Sequence, residues 1–372
     1  MKRPRRIAVV TGSRAEYGLL RPVMSAVRDH PDLELEVLIS GEHLLPPACT
    51  AREVTMDFEP HIGATIPMHP ARTNGRAAEA TALGRGISGI ADHLAGGPPE
   101  VVVVLGDRIE AFAAAAAAAV AGVRVAHLHG GDRAPGIADE GMRHAITKLA
   151  HLHLPATATS AQRIIAMGEE PDRVHVVGSP AIDGLGAIEP MSDERFEQLG
   201  RPQIVLLLHP EGGSADEEHD RARRLLGVAQ GVGRVLALAP NHDPGREGIV
   251  RAIEASSCPS CVHLPRPEFI GLLRRAEVLV GNSSAGLIEC AAIPLRCVNI
   301  GPRQAGREMG ENVIDVGTWD DEDIDAAIRR ARTEPLPATD HPYGPGHSGP
   351  RAAAVLAGFD PRLHPLVKRN TY

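Results

Sequence analysis

Two periodicities alternate along the first half of the chain: short β-branched runs with few polar positions, then longer stretches with an apolar residue every three or four places. Ile7–Val10 reads as a strand, and Tyr17–Asp29 as a helix with Leu19, Leu20, Val23, Met24 and Val27 on one face. Leu35–Ile39 is a second strand, Arg76–Leu94 a helix and Val101–Leu105 a strand. Ile109–Ala121 is an Ala-rich helix, Val123–His127 a strand and Glu140–Ala150 a helix. Val101–Leu105 has no polar position, as a strand covered on both faces of a parallel sheet requires. Strands spaced by helices build βαβ units with right-handed crossovers.

The alternation restarts near residue 203. Strands are expected at Ile204–Leu208, Val235–Ala239, Glu277–Val280 and Cys297–Ile300, and helices at Asp216–Ala229, Pro267–Arg275 and Ser284–Ala292. Between the two series, Asp183–Pro202 carries Gly184, Gly186, Pro190, Gly200 and Pro202 and reads as a linker. The expected fold class is α/β, with two Rossmann-like doubly wound domains, residues 1–185 and 200–332, facing a cleft. The Pro-rich tail, 333–372, has a short helix near Arg351–Ala357 that is expected to pack back on the first domain. Ligands of open α/β sheets sit at the carboxyl ends of the strands, so the loops after the strands are where chemistry is sought.

Composition narrows the field. The 372 residues include only nine aromatics against 18 His, so an aliphatic core does the packing and base-stacking platforms for single strands are excluded. A net charge of −8 leaves no basic footprint for nucleic acid. No run reaches the roughly 18 apolar residues of a membrane span. The basic start, Met1-Lys2-Arg3-Pro4-Arg5-Arg6, leads into a strand and a polar loop rather than a secretory apolar region. Five scattered Cys fit a reducing cytoplasm, and Cys258-Pro259-Ser260-Cys261 reads as two ordinary thiols in a loop.

Five loops carry the candidate chemistry. Thr11-Gly12-Ser13-Arg14-Ala15-Glu16 puts Arg14 and Glu16 at a helix start, where amide groups favour an anion, although a tight turn with a surface Arg would look the same. It is neither a dinucleotide fingerprint nor a Walker loop. Asp107 follows the buried strand as either a catalytic carboxylate or a helix cap. His127-Leu128-His129-Gly130-Gly131-Asp132 ends the next strand, where alternation places His127 and His129 on one face. Asp139, Glu140, Arg143 and His144 follow on a helix start. These acids suit proton transfer, while no second ligand set has the spacing of a zinc site. His209 leads a Gly-rich loop after the first strand of the second series. Asn282, Ser283, Ser284 and Gly286 form a loop of small polar residues able to cradle a diphosphate, with Glu289 in reach of ribose hydroxyls and Arg303 nearby; an ordinary Ser cap is the plainer reading.

Together, TGSRAEYG from Thr11, LGDRIEA from Leu105, HLHGGD from His127, DEGMRHAITKLAHLHLP from Asp139, MGEEPDRVHVVGSP from Met167, GNSSAGLIE from Gly281 and GPRQAGRE from Gly301 resemble the UDP-N-acetylglucosamine 2-epimerase family. The likeness spans roughly residues 5–330 and is greatest to the hydrolysing branch, which makes N-acetylmannosamine for sialic acid pathways. It implies a glycosyltransferase-B-like fold, a UDP-sugar substrate, no cofactor, and a homodimer or higher homo-oligomer. It also implies the reaction: a base removes the C2 proton as UDP leaves C1, water adds to C1 of the 2-acetamidoglucal, and a proton returns to C2 on the other face. By the resemblance, Arg14 contacts the diphosphate, Asp107 is the carboxylate after the central strand, and Asp139 and Glu140 are the acidic pair before Arg143. His209 is the His of the second domain's first loop, Ser283 and Ser284 bind the diphosphate, and Glu289 binds the ribose.

Two departures matter. Many members carry Glu where this chain has His129, so either His129 or Asp132 takes over as acid/base, or the substrate differs. A UDP-2,4-diacetamido-2,4,6-trideoxyhexose, on the legionaminic acid route, is the alternative substrate for that reason. The non-hydrolysing branch has a His-Arg-Arg-Glu-Asn-like run and a Gln-containing allosteric loop. Here these read His209-Pro210-Glu211-Gly212-Gly213 and Ser40-Gly41-Glu42-His43, which favours hydrolysis. A glycosyltransferase of the same fold and a non-catalytic nucleotide-sugar sensor are the competing readings.

Overall fold

The computed structural model describes residues 3–46, 49–69, 76–133, 140–241, 243–336, 341–362 and 365–371. The chain divides into two compact units. One gathers the residues up to Asp132, those leading to Asp183, and the C-terminal stretch from Tyr343. The other runs from Gly184 to Pro342 and includes Arg133.

The first unit is built on β1 (Arg5–Thr11), β2 (Leu33–Ser40), β3 (Ile62–Ile66), β4 (Val101–Leu105), β5 (Arg124–Leu128) and β6 (Leu152–Leu154). The helices between them are α1 (Arg14–Asp29), α2 (Ala51–Phe58), α3 (Arg76–Ala95), α4 (Ile109–Val120), α5 (Glu140–Leu149) and α6 (Ala158–Ala166). All strands run parallel in the order β3-β2-β1-β4-β5-β6, so the winding reverses between β1 and β4. Every residue of β4 is buried, because apolar clusters cover both sheet faces. On α1 the buried stripe is Tyr17, Leu20, Val23, Met24 and Val27; Leu19, expected on that stripe, is only partly buried.

The second unit repeats the winding. Its elements are α7 (Asp193–Gln198), β7 (Ile204–Leu207), α8 (Ala215–Val232), β8 (Val235–Leu238), α9 (Arg246–Ala255), β9 (Ser260–Cys261), α10 (Arg266–Leu273) and β10 (Val278–Gly281). There follow α11 (Ser284–Leu287), α12 (Glu289–Ala292), β11 (Arg296–Ile300), β12 (Val313–Val316) and α13 (Asp321–Thr333). The parallel order β12-β11-β10-β7-β8-β9 reverses between β7 and β10. Both sheets thus have a switch point, with the β1 and β4 loops at one and the β7 and β10 loops at the other.

The last helix, α14 (Ser348–Gly358), belongs to the first unit. It lies against α1, with Ala352, Ala353, Leu356 and Phe359 in that unit's core. The Asp183 carboxylate caps it, accepting the Ser348 and Gly349 amides at 2.8 and 2.7 Å. Among the described residues no helix is long and apolar enough to cross a membrane. The Cys258-Pro259-Ser260-Cys261 stretch runs into β9; all five cysteines are free thiols.

Candidate active site

In the first unit the charged residues gather where β4 and β5 end. Asp107 leaves β4 and forms an ion pair with Arg143 on α5. Arg143 is itself buried, and its Nη1 donates to the His129 carbonyl at 3.2 Å. A buried guanidinium needs such partners, since an isolated charge out of water is costly. Strand β5 stops at Leu128. His129 takes a left-handed φ of 58°, so the alternation expected to put it on one face with His127 ends before it arrives.

The two histidines accordingly have separate partners. His127 Nε2–H donates to the Gly106 carbonyl at 2.8 Å, and its Nδ1 bonds the Thr147 hydroxyl at 3.1 Å. Burial pushes its pKa down to about 3. His129 bonds Asp132 through Nδ1 at 2.9 Å and the Ser179 hydroxyl through Nε2 at 3.0 Å. The other oxygen of Asp132 accepts the Ser160 hydroxyl at 2.7 Å. Gly131 must be glycine here: its φ is 76°, and a Cβ would collide with the Ser160 carbonyl. Glu140 opens α5 and bonds His144 one turn on at 3.3 Å. Asp139 lies outside the described residues.

The loop after β1 is held from beneath. Ser13 caps α1, and the buried Glu16 accepts the Gly12 amide at 2.7 Å. Burial, with Glu110 close by, raises the Glu16 pKa to about 8. Glu110 is also buried. Desolvation alone would raise it, but His69 and Arg108 outweigh that and hold it near 2. Glu16 therefore shapes the loop from inside, while Arg14 beside it is half-buried.

In the second unit the organiser is Asn282. Its Oδ1 accepts the His209 amide at 2.7 Å and its Nδ2 donates to the His209 carbonyl at 2.9 Å and to Glu211 Oε1 at 3.2 Å. One side chain thereby continues the β7–β10 ladder a step past the strands. Gly281 allows the approach, because a Cβ there would collide with the Leu207 carbonyl. The Asn282 carbonyl accepts from Arg303 at 3.2 Å and from Gln304 at 2.7 Å. The His209 Nδ1 accepts the Asn241 amide at 3.2 Å, leaving the proton on Nε2. Burial, helped by Arg303, pushes its pKa down to about 3, so the ring is a neutral N–H donor.

The helix expected over Ser284–Ala292 is broken at Ile288 into two single turns, α11 and α12. Ser283 caps the first by accepting the Ala285 amide at 3.3 Å; Ser284 is half-buried. Gly286 packs on β11, where a Cβ would strike the Cys297 sulfur. Glu289 opens the second turn and receives Arg266 at 3.2 Å. Ser160, Ser179, Asn241 and Gln304 were not singled out by their sequence context, since each acts on a partner distant in the chain or through its backbone. Among the described residues no group of three or more His, Cys, Asp or Glu is placed to hold a metal ion.

Two doubly wound parallel sheets of this order, with polar loops at both switch points, are an α/β architecture of the glycosyltransferase-B-like class. The crystal structure of UDP-GlcNAc 2-epimerase from Neisseria meningitidis bound to UDP-GlcNAc shares it, with a TM-score of 0.78 over 94% of this chain and 99% of that one at 16% identity. Residues 25–357 match the profile of the UDP-N-acetylglucosamine 2-epimerase family, and the chain belongs to that family. It is 35% identical to the UDP-N,N'-diacetylbacillosamine 2-epimerase (hydrolyzing) of Legionella pneumophila, over 99% of this chain and 100% of that protein. It is 31% identical to the UDP-N-acetylglucosamine 2-epimerase of Neisseria meningitidis serogroup B, over 88% of this chain and 87% of that one.

Proposed function

We propose that the protein is a hydrolysing 2-epimerase of a UDP-2-acetamido sugar, releasing UDP and the free 2-epimeric sugar. The observation that carries this reading is the Asp107–Arg143 pair at the first switch point, in a chain of this family. The C2 proton is weakly acidic, so its removal needs a placed carboxylate and a stabilised leaving group. Asp107 and Glu140, with Asp139 beside it, are the groups for the two proton transfers at C2. One takes the proton as the C1–O bond to UDP breaks; the other returns a proton to the opposite face of C2 as water adds at C1. Arg143 holds the Asp107 carboxylate in place. In the second unit, Arg303, Ser283 and Ser284 serve the diphosphate and Glu289 the ribose. His209, locked as a neutral Nε2–H donor, hydrogen-bonds an oxygen that gains charge as UDP departs. Arg14 is a further cation for the diphosphate.

The full-length relative named for a diacetylated sugar supports UDP-2,4-diacetamido-2,4,6-trideoxyhexose as substrate. The N. meningitidis relative supports the second reading, UDP-GlcNAc to N-acetylmannosamine. Incubation with both in heavy water, read by mass spectrometry, tests the proposal. UDP release with one deuterium at C2 of the product is expected, and Asp107→Asn abolishes both. Sugar transfer with UDP release that leaves C2 protium untouched would point to a glycosyltransferase, and binding without turnover to a sensor; either refutes the proposal.

A further inference from the structure

His129 stands where many members of the resembled family carry Glu, and its surroundings give it a different job. It is one of four non-glycine residues with left-handed φ among the described residues. Such backbone is strained and persists only where its neighbours over-determine it. Here the restraint is a chain of side chains running through the interior. The Ser160 hydroxyl donates to Asp132 Oδ1, Asp132 Oδ2 accepts from His129 Nδ1–H, and His129 Nε2 bonds the Ser179 hydroxyl. Both ends are anchored to backbone. Ser160 sits in the first turn of α6, its amide bonded to the Thr157 cap at 3.1 Å, and Ser179 Oγ accepts the Ala181 amide at 3.3 Å. Ser179 is 0% exposed, Ser160 2%, His129 6% and Asp132 8%.

Both ring nitrogens are engaged within this chain, and Nε2 faces a serine that has no access to solvent. A general base has to reach the proton it removes. What the His129 residue does present is its carbonyl, and that carbonyl receives Arg143, the partner of Asp107. The left-handed turn is what aims it there.

We propose that Ser160, Asp132, His129 and Ser179 form a positioning chain: it locks the turn at His129 and, through the His129 carbonyl, sets Arg143 against Asp107, without itself carrying a proton to or from the sugar. This rests on the reading of Asp107 as an acid/base group, and it assigns Ser179 and Ser160 a role that their sequence context did not disclose.

The test uses Ser179→Ala, which removes the far partner of the ring, and His129→Asn, which keeps a donor for Asp132 and tolerates left-handed backbone. Steady-state UDP release is measured across pH with and without added imidazole. In parallel, the guanidinium NMR signals of Arg143, assigned by their loss in Arg143→Lys, report the Asp107 pairing without any turnover. Both variants are expected to lower kcat roughly 10-fold with KM within about 2-fold, to keep every limb of the wild-type pH profile, to gain nothing from imidazole, and to free the Arg143 guanidinium. Loss of a pH limb in His129→Asn, or its rescue by imidazole, overturns the proposal by making His129 a proton carrier. Unchanged kcat and unchanged Arg143 signals with only a lower melting temperature overturn it by reducing the chain to scaffold. If the wild type releases no UDP while Arg143 is freed in both variants, the positioning chain stands and the functional reading falls.

Discussion

Glu16→Gln should make the protein more stable at alkaline pH. The wild-type carboxyl is buried in the first turn of α1, bonded to the Gly12 amide and close to Glu110. Its folded pKa is raised from 4.5 to about 8. The folded state thus holds a proton that the unfolded chain releases near 4.5, and stability falls as pH rises from about 4.5 through about 8, levelling beyond. At about 1.4 kcal/mol per unit, a shift of this size sets a ceiling of about 5 kcal/mol on the loss. Gln has the same shape, its carbonyl can still accept the Gly12 amide, and it does not titrate. Thermal melts of both proteins at about pH 5, 7 and 9 isolate the effect, because every other titrating group is common to the pair. The two should melt within about 2 °C of each other at the acid end. At the alkaline end the variant should melt higher, with a ceiling of about 10–20 °C on a scale of roughly 2–4 °C per kcal/mol. A variant that loses stability with pH as steeply as the wild type, or melts lower near pH 9, would refute the burial argument.

Gly131→Ala should cost about 1–3 kcal/mol from its left-handed φ alone, with the Ser160 collision adding to it, as urea unfolding would register. His209→Gln should lower kcat for UDP release about 10²-fold while leaving the limbs of the pH profile in place, because a ring with a pKa near 3 is neutral throughout the working range; a missing limb would count against a neutral donor. Glu169 is buried, receives His153, Lys148 and Lys368 at 3.0, 2.6 and 2.6 Å, and is held down to about 2. Its contribution is present above about 4.5 and is lost as pH falls toward 2, so Glu169→Gln should destabilise by roughly 3 kcal/mol at neutral pH, with the gap closing in acid melts.

The central strands were legible because burial on both faces leaves an unbroken apolar signature, as in Val101–Leu105. The outer strands β3, β6, β9 and β12 were not. Ile62–Ile66 contains a glycine, Leu152–Leu154 is three residues long with a buried His153, and Val313–Val316 carries Asp315. His153 tolerates the interior only because Glu169 faces it, a pairing that no local pattern announces. Helices α2, α6, α9 and α13 are not announced by the sequence pattern either. The spacing of Ser284–Ala292 allows one helix; in the structure Asn312 takes the Gly286 carbonyl at 2.9 Å, and the run breaks at Ile288. Placing polar loops at strand ends needed only the topology rule. The wiring within them did not follow from it, since His129 meets Ser179 across 50 residues and departs from strand alternation through one left-handed dihedral.

The position of α14 bears on how the molecule is made. The apolar bed of α1, β1 and β2 is finished by Ala352, Ala353, Leu356 and Phe359, and Arg5 reaches across to the carbonyls of Leu356, Ala357 and Phe359. On a ribosome the first strand emerges early but must wait for almost the whole chain before this bed closes. The second unit, continuous from Gly184 to Pro342 apart from the stretch beginning at Arg133, has all of its sheet available sooner. Synthesis therefore inverts the usual N-to-C order: the unit begun first is completed last, and a nascent chain stalled before residue 348 carries an open apolar face for chaperones to shield.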